Sequence, residues 1–234
     1  MALNKATLKT RSLTAAVFVV VMLTALFWNF WSFLVLFTFI HIGCWMEFVN
    51  LLKKIYPSTF KKYVLLGLLY ITLPILLLTD LATNWRYSTA IDYTHGTYSY
   101  LFPCAIIFSI WINDTMAYLV GSLIGKTPFS KISPKKTWEG TIGGALLAII
   151  VIGILGYYIP VAKKIAPQHW VAIAAICAVF GTLGDLLESK IKRMANVKDS
   201  GSLMPGHGGL LDRFDSLLVA IPFVWFYVRF VVIE

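Results

Sequence analysis

The chain has 234 residues, of which 59% are hydrophobic and only 13% are charged, and its formal net charge is +9. A soluble domain usually has about 25% charged residues, so this composition excludes an ordinary soluble globule. The long apolar runs instead predict membrane-spanning helices of about 20 residues each. They lack the alternation of apolar and polar positions that a membrane β-barrel needs.

Seven apolar runs predict an all-α, polytopic membrane protein with about seven transmembrane helices, to which broken or re-entrant segments would add. The runs cover residues 13–29, 30–51, 63–80, 99–122, 141–159, 168–187 and 216–233. The first two share the aromatic joint "FWNFW", which leaves their separation open. No small-residue cleavage site follows the first run, so we expect a retained helix and not a signal peptide.

Basic residues border the predicted spans unevenly. With the N-terminus in the cytoplasm, most of the 20 lysines and arginines fall in cytoplasmic segments, as the positive-inside rule requires. Because these residues flank spans, their charge favours anionic lipid or nucleotide phosphate as a partner, and we expect no nucleic-acid partner. This orientation predicts that the polar loops of the second half of the chain face the cytoplasm.

Acidic residues are concentrated in the second part of the chain. Residues 1–98 contain three, Glu47, Asp80 and Asp92, and residues 99–234 contain the other eight. We interpret 1–98 mainly as scaffold helices and 99–234 as the catalytic part. With neither a linker nor an internal repeat, residues 1–234 are predicted to form a single membrane-embedded domain.

The first polar cluster is "WINDTMAYLVGSLIGK", in which Asn113 and Asp114 fall inside a predicted span. A carboxylate at membrane depth is costly unless it faces a partner or a water-filled cavity. Two interpretations stay open: a polar pair that packs between helices, and a pair that lines a cavity. Gly121 and Gly125 have the spacing of a small-residue helix contact.

The second cluster, "KTPFSKISPKKTWEG", is a predicted cytoplasmic loop at 126–140 with four lysines and two prolines. Its lysines, Ser133 and Thr137 suit phosphate oxygens as charges and hydrogen-bond donors. The alternative is an ordinary basic loop. We expect Glu139 to cap the next helix or to pair with a lysine.

The third cluster spans residues 181–216. Glu188 and Ser189 follow Asp185 on one helical face, and Asp212 and Asp215 are three residues apart, so acidic pairs flank the turn "PGHGG". Carboxylates suit magnesium bound together with substrate phosphates, and glycines let backbone amides approach anionic oxygens. The parts are typical of metal-assisted phosphoryl transfer, with a salt-bridged loop as the alternative. For His207 we favour a phosphate donor or a turn-fixing residue over a general base.

These residues resemble the signature of the phosphatidate cytidylyltransferase (CDP-diacylglycerol synthase) family: S-x-hydrophobic-K-R-x4-K-D-x-small-x2-[LIF]-[PG]-x-H-G-G-hydrophobic-x-D-R-hydrophobic-D. The segment from Ser189 to Asp215 fits without a gap, and Met204 is a mild departure from Leu, Ile or Phe. "NDTMAYLVGSLIGK" with "SPKKTWEG" is similar to the other polar region of the family.

The resemblance implies a polytopic, magnesium-dependent and homodimeric enzyme that transfers a cytidylyl group from CTP to phosphatidate, yielding CDP-diacylglycerol and pyrophosphate. The expected metal ligands are Asp185 and Asp212, with Asp215 as a third candidate, and a second cation is left open. The further catalytic candidates are Lys198, His207 and Arg213. The expected substrate-binding residues are Asn113, Asp114, Ser133, Lys135, Lys136, Thr137, Ser189, Lys192, Arg193, Asp199, Gly208 and Gly209.

Two other functions are compatible with parts of the sequence. A relative that uses an isoprenoid ether lipid phosphate would keep the same nucleotide and metal roles. A transporter or channel is disfavoured because the polar residues are concentrated in the predicted cytoplasmic loops and no inverted repeat is visible.

Overall fold

The computed structural model describes residues 5–83, 98–204, 206 and 208–232, with side chains from residue 12 onward. Within these residues the regular secondary structure is helical and no β-strand occurs. Two isolated β-bridges join Pro128 to Thr137 and Met204 to Gly208. The predicted all-α class is confirmed.

Eight α-helices follow one another in the described residues. They are α1 (Lys5–Trp28), α2 (Phe30–Ile55), α3 (Lys61–Val64), α4 (Leu73–Ala82), α5 (Leu101–Ile124), α6 (Trp138–Tyr158), α7 (Pro167–Met194) and α8 (Leu211–Tyr227). Short segments of other helical types lie at Leu68–Thr72 (π), Ala162–Lys164 (3-10) and Val228–Val232 (π).

Six of the described helical segments are long and apolar enough to cross a membrane. They are Phe30–Ile55, Lys61–Ala82, Leu101–Ile124, Trp138–Tyr158, Pro167–Met194 and Leu211–Val232. The first predicted run forms α1, whose described apolar part, Ser12–Trp28, is shorter. The chain is therefore a polytopic integral membrane protein. The six candidate spans, together with α1, correspond to the seven predicted runs.

Asn29 separates α1 from α2 within the aromatic joint. Its side chain accepts a hydrogen bond from Ser32 N at 2.9 Å, and Ser32 Oγ accepts one from Asn29 N at 3.1 Å. This reciprocal capping box satisfies two donors at the start of α2. A single polar residue thus separates the first two predicted runs, whose separation the sequence left open.

The chain divides into two compact units. The first unit consists of Met1–Thr72 and Ile191–Phe214, and the second consists of Leu73–Lys190 and Asp215–Glu234. Fully buried aromatic rings such as Phe33 and Phe37 lie in the core of the first unit, and Phe102 lies in that of the second. Each unit contains residues from both predicted parts of the chain, and none of the three boundaries between the units falls at residue 98.

Small residues bring α5 and α6 together in the second unit. A Cβ at Gly121 would lie 3.5 Å from the Cα of Gly140, and a Cβ at Gly140 would lie 2.7 Å from the carbonyl oxygen of Ala117. A Cβ at Gly144 would lie 2.7 Å from the Cβ of Ala117 and 2.7 Å from the carbonyl oxygen of Asn113. Backbones that approach so closely leave no room for side chains, which confirms Gly121 as part of a small-residue helix contact.

Candidate active site

The signature loop, residues 195–210, begins where α7 ends in the first unit. Asn196 has a φ of 53°, in the left-handed region that commonly ends helices. Val197 N then donates to the carbonyl oxygen of Lys192 at 3.0 Å, which satisfies one of the last carbonyls of α7. This turn directs the chain out of the helix and into the glycine-rich segment.

Asp212 organises the signature loop from the first turn of α8. Its Oδ2 accepts hydrogen bonds from Gly209 N at 2.7 Å, Ser200 N at 2.9 Å and Ser200 Oγ at 3.0 Å. Its Oδ1 accepts from Lys192 Nζ at 2.6 Å, and the two side chains are only 6% and 15% exposed. One carboxylate therefore joins two parts of the loop, at Ser200 and Gly209, and is paired with a shielded lysine.

The glycine turn requires backbone conformations that favour glycine. Gly206 and Gly208 have φ values of 75° and 85°, and Met204 N donates to the carbonyl oxygen of Gly208 at 2.9 Å. A Cβ at Gly208 would lie 2.7 Å from Asp212 Oδ2. His207, a predicted catalytic residue, lies outside the described residues.

Three basic side chains of this segment, Arg193, Lys198 and Arg213, are exposed, as is Asp199. Exposed ammonium and guanidinium groups beside backbone amides are the groups that phosphate recognition uses. Gly209 N, one of the amides expected to bind phosphate, donates to Asp212 instead. Phosphate binding by Gly208 and Gly209 stays a prediction.

Glu47 is a site residue that sequence reasoning missed. This α2 carboxylate is 8% exposed and accepts hydrogen bonds from Leu210 N and Leu211 N, each at 2.9 Å, and from Ser200 Oγ at 2.7 Å. The signal available was the carboxylate itself, because an acidic residue inside the apolar run "GCWMEFVN" marks a functional position by default.

In the second unit, the loop between α5 and α6 meets the polar end of α7. Lys136 Nζ forms an ion pair with Asp185 Oδ2, and the two side chains are 29% and 30% exposed. Ser189 Oγ donates to Asp185 Oδ1 at 3.2 Å, one helical turn further along. The structure therefore brings together residues from two of the predicted polar clusters.

That loop has a defined shape. Phe129 N donates to the carbonyl oxygen of Lys136 at 2.8 Å, and Trp138 N donates to that of Thr127 at 3.0 Å. Thr137 Oγ1 accepts from Gly140 N at 3.2 Å and caps α6. The turn of this loop, in which Lys136 N donates to the carbonyl oxygen of Ser133, leaves Lys135 exposed.

Glu139 closes the base of the same loop. Its carboxylate accepts from Lys126 N and Thr127 N, each at 3.2 Å, and from Thr127 Oγ1 at 2.8 Å. These partners precede α6 in the chain, so the carboxylate binds the loop backbone, whereas we expected it to cap its own helix or pair with a lysine side chain.

Asn113 and Asp114 lie side by side on α5 but differ in exposure. Asn113 is 4% exposed and donates from Nδ2 to Asp114 Oδ1 at 3.3 Å, whereas Asp114 is exposed. Among the described residues no hydrogen-bond donor reaches the buried Oδ1 of Asn113. A buried acceptor without a donor is costly, and both interpretations of this pair stay open.

Asp215 lies where α8 approaches α7 in the second unit. It is 7% exposed, and its Oδ1 accepts from Ser216 N at 2.6 Å. A Cβ at Gly184 would lie 3.0 Å from the Cα of Ser216, so glycine permits the close approach beside Asp185. The segments that contain these two expected metal ligands are thus neighbours.

The carboxylates suit one kind of magnesium site. Nowhere in the described ranges do three His, Cys, Asp or Glu side chains gather in an arrangement that could hold a metal ion. Magnesium is usually bound through one or two carboxylates, with waters and substrate phosphates completing its coordination. The aspartates present fit that arrangement and not a cage made of protein ligands alone.

Residues 59–231 match the sequence model of the cytidylyltransferase family. The chain belongs to the cytidylyltransferase family. The matched range contains the signature loop, the loop between α5 and α6, and all the predicted site residues. Glu47 lies outside it.

Three similar proteins come from bacteria. The phosphatidate cytidylyltransferase of Bacillus subtilis is 43% identical over 129 residues, which cover 55% of this chain and 46% of that protein. Those of Staphylococcus haemolyticus and Staphylococcus saprophyticus are 44% and 45% identical over 116 and 114 residues, 48% of this chain and 43% of each relative. The matches therefore span less than half the length of these relatives.

Proposed function

We propose that this protein transfers a cytidylyl group from CTP to phosphatidate and forms CDP-diacylglycerol and pyrophosphate in phospholipid biosynthesis. The observation that supports this most is the signature loop, in which Asp212 orders a glycine turn bordered by exposed basic side chains. The loop belongs to a polytopic member of the cytidylyltransferase family whose relatives are phosphatidate cytidylyltransferases.

The reaction needs little acid–base chemistry from the protein. A phosphate oxygen of phosphatidate attacks the α-phosphorus of CTP, a new P–O bond forms, and the bond to the β-phosphate breaks so that pyrophosphate leaves with the electron pair. A phosphomonoester has between one and two negative charges near neutral pH, so the nucleophile is already ionised. The protein must chiefly offset repulsion between two anions.

Exposed basic groups are suited to that task. Arg193, Lys198 and Arg213 beside the signature loop are proposed to neutralise phosphate charge. Lys135 and Lys136, with the hydroxyls of Ser133 and Thr137, are proposed to bind the triphosphate or the lipid headgroup. Lysine serves here as a compact point charge, and arginine adds a planar fork of donors.

We propose Asp185 and Asp215 of the second unit as magnesium ligands, and the role of Asp212 as a further ligand stays a prediction. Asp185 is partly exposed, and Gly184 beside it packs against the backbone of Asp215 and Ser216. Magnesium, when bound, supplies positive charge that stabilises the phosphate oxygens during displacement. Asp212 already orders the loop through its hydrogen bonds to Lys192, Ser200 and Gly209.

We propose that both basic loops face the cytoplasm, as the positive-inside rule predicts, and that the membrane is a bacterial cytoplasmic membrane. This location gives access to a lipid acceptor and to a soluble nucleotide. The homodimer stays a prediction.

The test is an assay of the purified chain in detergent with CTP, magnesium and a panel of acceptors. We expect CDP-diacylglycerol from phosphatidate and none after EDTA treatment. Product from an ether-lipid phosphate but not from phosphatidate would replace the proposed acceptor. No product from either acceptor would overturn the proposed function.

A further inference from the structure

We propose that Glu47 is a positioning residue that holds the signature loop in the geometry required for nucleotidyl transfer. The inference rests on the proposed function and extends it to a residue of α2, in the part of the chain expected to be scaffold. It assigns Glu47 no contact with substrate. Its effect on turnover would pass through the loop backbone and Asp212.

Glu47 supplies a cap that α8 requires. The first amides of a helix have no partner within the helix, and a negative charge at this end is stabilising. Leu210 N and Leu211 N, at the start of α8, donate to the two carboxylate oxygens of Glu47 at 2.9 Å each. The cap comes from a residue 163 positions before Leu210 in the chain.

Ser200 links Glu47 to Asp212. Its hydroxyl oxygen lies 2.7 Å from Glu47 Oε2 and 3.0 Å from Asp212 Oδ2. A hydroxyl has a single proton to donate, so its orientation depends on both carboxylates. A change at Glu47 would therefore alter the hydrogen bonding of Asp212, which also holds Gly209 N and Lys192.

The glycines of the signature loop make room for Glu47. A Cβ at Gly201 or at Gly209 would overlap the Glu47 carboxylate, and a Cβ at Gly43 on α2 would overlap the side chain of Leu210. Two loop glycines are thus explained by the approach of a protein carboxylate. The loop and α2 fit each other closely enough that the position of one fixes that of the other.

The first experiment is amide hydrogen exchange on the purified full chain, read by mass spectrometry, in the wild type and in Glu47→Gln. The amide keeps the size of the side chain but replaces one acceptor oxygen by a donor. We expect faster exchange at Leu210 and Leu211, with unchanged exchange in α6. Unchanged exchange at both amides would overturn the proposal.

The second experiment measures steady-state kinetics with CTP and phosphatidate. We expect Glu47→Gln to lower kcat by about tenfold or more while KM for CTP changes by less than about threefold, because small displacements of a positioned group cost turnover more than binding. Asp80→Asn is the matched control, a carboxylate that accepts one hydrogen bond from Trp225 at 2.7 Å and lies in the second unit. Normal kcat in Glu47→Gln would overturn the proposal.

Ser200→Ala provides a second variant and a test of the route. If Glu47 acts through Ser200, the double variant should have the kcat of the more impaired single variant, because both changes break one chain of contacts. If the kcat reductions of the two single variants multiply in the double variant, Glu47 does not act through Ser200. An inactive wild type would refute the proposed function, whereas amide exchange at Leu210 and Leu211 would still test the capping role of Glu47.

Discussion

Lys136, in the loop between α5 and α6, forms an ion pair with Asp185 near the end of α7. The pair joins two motifs that are far apart in the chain and assigns both to one region of the second unit. Each side chain remains about one-third exposed, at 29% and 30%. Both side chains therefore stay accessible, as their proposed roles in phosphate and magnesium binding require.

Replacing Lys136 with alanine should reduce turnover with little effect on stability. A partly exposed ion pair contributes about 1 kcal/mol or less, so the thermal unfolding temperature should change little. We expect kcat/KM for CTP to fall by about tenfold or more, since one charge-assisted phosphate contact would be lost. Lys131→Ala, at an exposed position of the same loop, is the control. Equal rates in the two variants would refute the assignment.

Asp212→Asn should impair both the loop and the reaction. The carboxylate accepts hydrogen bonds from Lys192, Ser200 N and Gly209 N and shares the Ser200 hydroxyl with Glu47. An amide cannot accept at its nitrogen, so donors are left unsatisfied at a cost of about 1–3 kcal/mol. Initial rates and thermal unfolding should be measured on the same preparation. A variant that loses stability but keeps its turnover would show that Asp212 has a structural role alone.

Gly140→Ala should destabilise the second unit. The added methyl would lie 2.7 Å from the carbonyl oxygen of Ala117, and overpacking of this kind costs about 1–3 kcal/mol. Gly153→Ala, in the same helix, is the matched control because its Cβ would meet a single side-chain methyl, Val171 Cγ2, at 3.1 Å and, among the described residues, no backbone atom of another helix within 4 Å. Thermal unfolding in detergent compares them, and a Gly140→Ala variant as stable as the control would contradict the close α5–α6 contact.

Removal of magnesium should abolish turnover but leave the fold intact. The aspartates suit a magnesium site that substrate phosphates complete. EDTA added without nucleotide should therefore change the unfolding temperature little. Added magnesium should restore activity fully. Loss of helical circular dichroism after chelation would instead indicate a structural metal and contradict this account.

Much of the fold could be predicted from the sequence because membrane helices are encoded locally. A run of about 20 apolar residues is a sufficient signal for a span. Helical spacing likewise predicted that Asp185 and Ser189 share a face, as their hydrogen bond confirms. The break in the Lys61–Ala82 span at the π segment Leu68–Thr72 was not predicted, although Pro74, just after the segment, cannot donate the helical hydrogen bond to the carbonyl oxygen of Tyr70.

The candidate site was less accessible to sequence reasoning because its contacts join distant parts of the chain. Hydropathy identified Glu47 as an isolated acid but could not reveal its partners 163 and 164 residues later. Spacing brought Asp212 forward as a metal ligand, whereas its role as acceptor for Ser200 and Gly209 depends on the folded loop. Local sequence patterns predict the helices, whereas the roles of individual side chains depend on tertiary hydrogen bonds between distant parts of the chain.

The most direct test of the central claim follows the phosphorus atoms of CTP. The purified chain is given phosphatidate, magnesium and CTP labelled either at the α-phosphate or at the γ-phosphate. We predict that the α-label appears in the lipid as CDP-diacylglycerol and that the γ-label appears in an equal amount of pyrophosphate. Transfer of the γ-label to lipid, or release of the α-label only as soluble CMP, would contradict cytidylyl transfer.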